Sequence, residues 1–239
     1  MEENGFRRGF LDGMPICVGY FAVAFAFGIF AVQSGLTPAE ALLISMTNLT
    51  SAGQFAGVPI ITSGGALVEL ALTQLVINAR YALMSISLSQ KLGPSVKSWQ
   101  RFPIAFGNTD EVFAVATTRD GMVGPRYMAG LIASPALGWN AGTLLGGVAG
   151  NLLPPVVIAS LGMAIYGMFV AIVMPETKKS RAVTGCVLLS VAVSCLFRYV
   201  PFLYAHVSGG FVIILCAAIA SAVMAVVAPV PQEEETQHE

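Results

Sequence analysis

The sequence predicts an all-α, polytopic helical membrane protein with about 6 to 8 membrane segments, and two observations carry that prediction. First, 56% of the 239 residues are hydrophobic and only 10% are charged, too few to give a soluble globule a polar surface. Second, the charges sit mostly in short segments between apolar stretches long enough to cross a bilayer, which takes about 20 residues. A net charge of -1 leaves no electrostatic footprint for nucleic acid. Cys17, Cys186, Cys195 and Cys216 all fall in apolar stretches, where cysteine acts as a small hydrophobe.

Taken in order, the first span is expected over residues 14 to 34. The preceding FRRGFL resembles a twin-arginine export signal, but no small-residue cleavage site follows and further spans do, so the segment is read as a retained helix. Residues 38 to 62 are long enough to cross, yet NLTSAGQFAG interrupts them with glycines, hydroxyls and amides where leucines would stand. This is read as a broken or re-entrant helix. Residues 64 to 90 form the next span. A single helix over residues 103 to 118 would be about 24 Å long, short for a hydrocarbon core of about 30 Å. Four more spans are expected over 126 to 149, 153 to 174, 182 to 203 and 209 to 229.

The excess of Lys and Arg on cytoplasmic loops orients the chain: Arg7 and Arg8 place the N-terminus inside, and Lys178, Lys179 and Arg181 place a later loop there. The loop carrying Lys91, Lys97 and Arg101 is cytoplasmic only if residues 38 to 62 fold back without crossing, and the fold-back is the preferred reading. One membrane domain spans 1 to 229. The acidic tail over 230 to 239 is expected to be a disordered cytoplasmic end.

Chemistry is expected where polarity is costly. The span at 64 to 90 carries Glu69, Gln74, Asn78 and Arg80. Glu69, Thr73 and Arg80 share one helical face, with Gln74, Asn78, Tyr81 and Ser85 on an adjacent stripe, so this side should look into the protein. A charge at mid-bilayer costs about 2.5 to 3.5 kcal/mol on insertion scales, so Arg80 needs a partner. Asp110 and Glu111 are the candidates, one pairing with Arg80 or capping a helix while the other faces a solute path. A half-helix starting near residue 51 would aim backbone N–H groups and a positive dipole end at a carboxylate, with Gln54 and Ser51 adding hydrogen bonds; the alternative is a kink that glycine permits, with no ligand. The candidate substrate-binding residues are therefore Ser51, Gly53, Gln54, Asn78, Arg80, Asp110 and Glu111, and Glu69, Asp110 and Glu111 are candidates for proton coupling. Small residues recur every fourth position from Gly130 through Ser134, Gly138, Gly142 and Gly146 to Gly150, a ridge suited to close helix packing.

These motifs taken together resemble the AzlC family, the large subunits of bacterial branched-chain amino acid exporters. The likeness rests on GFLDGMPICVGY, AFAFGIFAVQSGLTPAEALLISM, SAGQFAG, NARYALMSISL, TDEVFA, GWNAGTLLGG and LGMAIYGMFVAIVMP, and it covers nearly the whole chain. Two positions depart from the family pattern: Phe21 follows Gly19-Tyr20 where a proline is common, and Asn78-Ala79-Arg80-Tyr81 stands for Asn-Leu-Arg-His. The resemblance implies an inner-membrane exporter of leucine, isoleucine, valine or analogues, working with a small membrane subunit of the AzlD type. No phosphate-binding loop is present, so the expected energy source is an ion gradient, with protons the favoured ion and no cofactor or metal required. A passive channel or scaffold subunit is the alternative. A membrane enzyme acting on lipids is disfavoured, since neither H-E-x-x-H nor G-x-S-x-G occurs.

Overall fold

The computed structural model describes residues 4–150, 152–154, 156–157, 163, 167, 170, 173–175 and 177–228. The expected span at 153 to 174 lies largely outside the described residues, and the expected tail at 230 to 239 lies wholly outside them. The chain divides into two compact units, Met1–Ile165 and Tyr166–Glu239.

In the first unit α1 (Phe6–Gln33) and α7 (Pro125–Ala149) form the spine. They run parallel. Gly130 lies against the Phe6 carbonyl, Gly138 against Cys17, Gly142 against Phe21 and Gly146 against Phe25, so both numbers rise together along the pair. With no side chain in the way, the α7 backbone sits directly on the carbonyls of α1, and Gly13 of α1 returns the contact against Leu131. The fourfold small-residue ridge is therefore spent inside the chain.

α4 (Leu67–Lys91) runs the opposite way. Its end is tied to the start of α7 by a short parallel bridge in which the Gly93 N–H donates to the Val123 carbonyl at 3.0 Å and the Val123 N–H donates to the Lys91 carbonyl at 3.0 Å. Two helical hairpins fill the space between these long helices.

The first hairpin is α2 (Pro38–Thr47) and α3 (Ser51–Thr62). α2 opens with Pro38 in its first turn and a reciprocal cap, Thr37 taking the Glu40 N–H while Glu40 takes the Thr37 N–H at 2.7 Å. It descends beside the last turns of α7, with Pro38 at Gly147 and Ser45 hydrogen-bonded to Thr143 at 2.7 Å. The helix stops at Asn48, whose backbone is extended, and restarts at Ser51 under the Thr50 cap. α3 then climbs back along α4, Gly53 facing Gln74 and Gly57 facing Leu70. Residues 38 to 62 thus begin and end at one end of the bundle, as the fold-back reading requires.

The short segment expected near 103 to 118 is present, but it belongs to a second hairpin that starts earlier. α5 (Ser98–Phe106) rises along α7, with Ile104 buried and Gly107 against Ile132. Thr109 caps α6 (Asp110–Thr118), which returns to Arg119 at the starting end. Sixteen residues read as one short helix are in fact the end of one half-helix and the whole of another, separated at Gly107-Asn108-Thr109.

The two hairpins enter from opposite ends, and each has its own apolar packing. Phe27, Ala31, Ala41 and Val58 hold the first; Leu88, Leu92, Ile104, Val112, Val123 and Leu131 are among those holding the second. Between them Ala24, Leu49 and Trp139 make a small central cluster.

The second unit contributes α8 (Arg181–Tyr199), the short α9 (Pro201–His206) and α10 (Gly209–Val227). α8 and α10 pack antiparallel, with Gly185 near the start of one against Met224 near the end of the other. Among the described residues, four helices are both long and apolar enough to cross a membrane: α1, α4, α8 and α10. α7, at 25 residues, is about 37 Å long but is lined with glycine for packing.

Candidate functional site

The two hairpin breaks flank the middle of α4. There the Arg80 guanidinium pairs with the Asp110 carboxylate at 2.8 Å and lies over the Tyr81 ring, 5.0 Å from its centroid. Asp110 is the first residue of α6 and Glu111 the second, where a helix N-terminus favours negative charge. Glu111 accepts a short hydrogen bond from the Tyr20 hydroxyl near the middle of α1. The Tyr20 ring meets Trp139 of α7 edge-on at 5.1 Å and packs on the cluster containing Leu49 of the first break. One aromatic residue therefore joins the start of α6 to the cluster that includes Leu49 of the first break.

The first break is held by Gln74. Its Nε2 donates to the Gly53 carbonyl at 2.8 Å, and its Oε1 accepts from Asn48 at 3.3 Å and from Asn78 at 3.2 Å. Thr50 takes the Gly53 N–H, and Asn48 takes the Thr50 N–H. Ser51 occupies the first helical position. The α3 N-terminus has no acidic residue in its first turn, whereas α6 has two. One break thus presents a positive dipole end with no carboxylate of its own, and the other presents carboxylates.

At the second break Asn108 donates to Ser85 at 3.3 Å. The amide oxygens of Asn78 and Asn108 are buried and make no hydrogen bond. Arg80 and Asp110 keep 56% and 43% of their side-chain surface accessible.

The sequence-selected residues separate into groups. Ser51, Gly53, Asn78, Arg80, Asp110 and Glu111 come together around the breaks. Gln54 is buried elsewhere, donating to Ser45 at 2.9 Å and so bracing α3 to α2 and, through Ser45, to α7. Glu69 is buried in the first turn of α4, about 16 Å along the helix from Arg80. Gly138, Gly142 and Gly146 pack α7 on α1. Tyr20 and the bridging use of Gln74 are the features that sequence reading did not single out; the Asn-x-Thr and Asn-Thr starts shared by the two breaks were the available signal.

The AzlC protein family model matches residues 15–153, covering both hairpins, α7 and most of α1. Inner membrane protein YgaZ of Escherichia coli is 31% identical over 201 residues, covering 80% of this chain and 82% of its own. An uncharacterized membrane protein of Archaeoglobus fulgidus is 33% identical over 72% of this chain and 76% of its own. Branched-chain amino acid transport protein AzlC of Bacillus subtilis is 25% identical over 80% of this chain and 77% of its own. No solved structure matches. With the family model spanning more than half its length, this chain is a multi-pass membrane protein of the AzlC family.

Proposed function

We propose that the protein is a secondary transporter subunit that exports branched-chain amino acids, leucine, isoleucine, valine or analogues, across the inner membrane. The observation that carries the reading is the Arg80–Asp110 pair set between two half-helix starts of opposite character. A zwitterion suits that arrangement. Its carboxylate is attracted to the acid-free start of α3 and to Arg80, and its ammonium to Asp110, Glu111 and the unpartnered amide oxygens of Asn78 and Asn108. An aliphatic side chain finds Tyr20, Leu49 and Trp139 nearby.

Such irregular backbone at membrane depth is tolerated where it is buried in protein or lines a wet cavity. The reading takes Asp110 and Glu111 as the groups that carry a proton, with Glu69 as a second relay point. One elementary charge moved through 100 mV supplies about 2.3 kcal/mol, enough for a gradient of about fiftyfold in a neutral zwitterion. The N-terminus lies in the cytoplasm in this account, and a small membrane subunit of the AzlD type completes the exporter. No enzymatic step is involved.

Counterflow tests it: proteoliposomes holding the protein and its small subunit, preloaded with unlabelled leucine, should accumulate labelled leucine transiently. Absence of counterflow with leucine, isoleucine and valine would leave a scaffold role, and uptake without exchange acceleration would leave a passive channel.

A further inference from the structure

A second charged cluster stands at the end of the bundle where α1 and α7 begin. A cavity of about 850 Å³ opens there, lined by Arg8, Asp12, Arg119, Asp120 and Tyr127 among others. Asp12 is its hub: it meets Arg8 at 3.1 Å and Arg119 at 3.4 Å, and it accepts from the Tyr127 hydroxyl at 2.9 Å. Arg119 also lies over the Tyr127 ring, 4.2 Å from its centroid. Arg119 closes α6 and Asp110 opens it, which puts the cavity one half-helix, about 13 Å, from the central pair.

We propose that this cavity is a second binding site, an entry site for a zwitterionic α-amino acid, whose carboxylate takes Arg119 while its ammonium takes Asp12. A zwitterion offers an opposite charge to each of Asp12 and Arg119 and brings in no net charge, so the site selects against simple cations and anions alike. Tyr127 holds both protein groups in place during the exchange, through its hydroxyl to Asp12 and its ring under Arg119. The cargo then has a charged route along α6 to Asp110 and Glu111. This inference rests on the transport reading above for its cargo.

The test is equilibrium binding of labelled leucine to the purified complex, read beside counterflow. Asp110→Asn should keep the binding component that Arg119→Gln weakens by about tenfold or more, the loss expected of a charged hydrogen-bonded contact. Arg119→Lys should fall between them, and Asp12→Asn should weaken binding without altering the fold. Leucinol, which lacks the carboxylate, should compete poorly in wild type, and that discrimination should vanish in Arg119→Gln. Unchanged leucine affinity in well-folded Arg119→Gln and Asp12→Asn overturns the entry site. Loss of counterflow with an intact Arg119-dependent component would instead sink the transport reading alone.

Discussion

Tyr20 and Glu111, 91 positions apart in sequence, are joined by a hydrogen bond that fastens the start of the half-helix α6 to the middle of α1. With the Arg80–Asp110 pair it makes α6 a rod anchored by charge at its inner end, while Arg119 anchors its outer end to Asp12. Each anchor is polar and so can be exchanged for a solute or released by protonation, which buried apolar packing cannot do.

Gln74 is the least replaceable amide of the first break. Gln74→Leu removes three hydrogen bonds and leaves the Gly53 carbonyl, Asn48 and Asn78 to find other partners. An unsatisfied buried polar group costs about 1 to 3 kcal/mol, so a clearly lower thermal midpoint in detergent is expected together with weakened leucine binding. Gln74→Glu, which keeps the acceptor and loses the donor to Gly53, should fall in between.

The α1–α7 seam predicts a contrast between glycines. A Cβ on Gly142 would strike the Phe21 carbonyl and approach the Ala24 Cβ at 3.1 Å, while one on Gly19 meets nothing within 4 Å. Overpacking of this sort costs about 1 to 3 kcal/mol, so Gly142→Ala should lower the unfolding temperature measurably. Gly19→Ala should leave it unchanged or raise it slightly. The ridge packs α7 on α1 within one chain, so the proposed small subunit should remain bound in Gly142→Ala protein that still folds.

The double-hairpin topology makes a sidedness prediction. In a background without Cys17, Cys186, Cys195 and Cys216, single cysteines at Asn4 and Lys97 should react with an impermeant thiol reagent from one face. A cysteine at Ser63 should react from the other. Labelling of Asn4 and Ser63 from a common face, with Lys97 reacting from the other, would mean that residues 38 to 62 cross the membrane.

Much of this architecture was legible in the residues themselves. NLTSAGQFAG marked the first break because a helix cannot run smoothly through an Asn-x-Thr cap signal, and the costly polar stripe on 64 to 90 marked the face that meets both hairpins. The second hairpin was only half legible. Its first arm, SWQRFPIAF, is amphipathic and carries Arg101, so it reads as part of the basic loop, and only its packing against Pro125, Ala129 and Ile132 reveals a helix entering the bundle. The Tyr20–Glu111 bond could not be read at all, because it depends on α1 and α7 running parallel, which period and composition do not encode.

Export through the charged centre is tested most directly by leucine counterflow in Asp110→Asn and Glu111→Gln. Both replacements keep shape and remove a titratable charge, whereas alanine at 110 would strand Arg80 without its partner, a loss of about 3 to 5 kcal/mol if the pair is fully buried and less here, where it is half exposed. The account predicts normal yield and a folded complex in both, with leucine export lost or reduced to exchange that no longer responds to a pH gradient. Export at wild-type rate with unchanged pH dependence in both variants would contradict it and make the carboxylates structural.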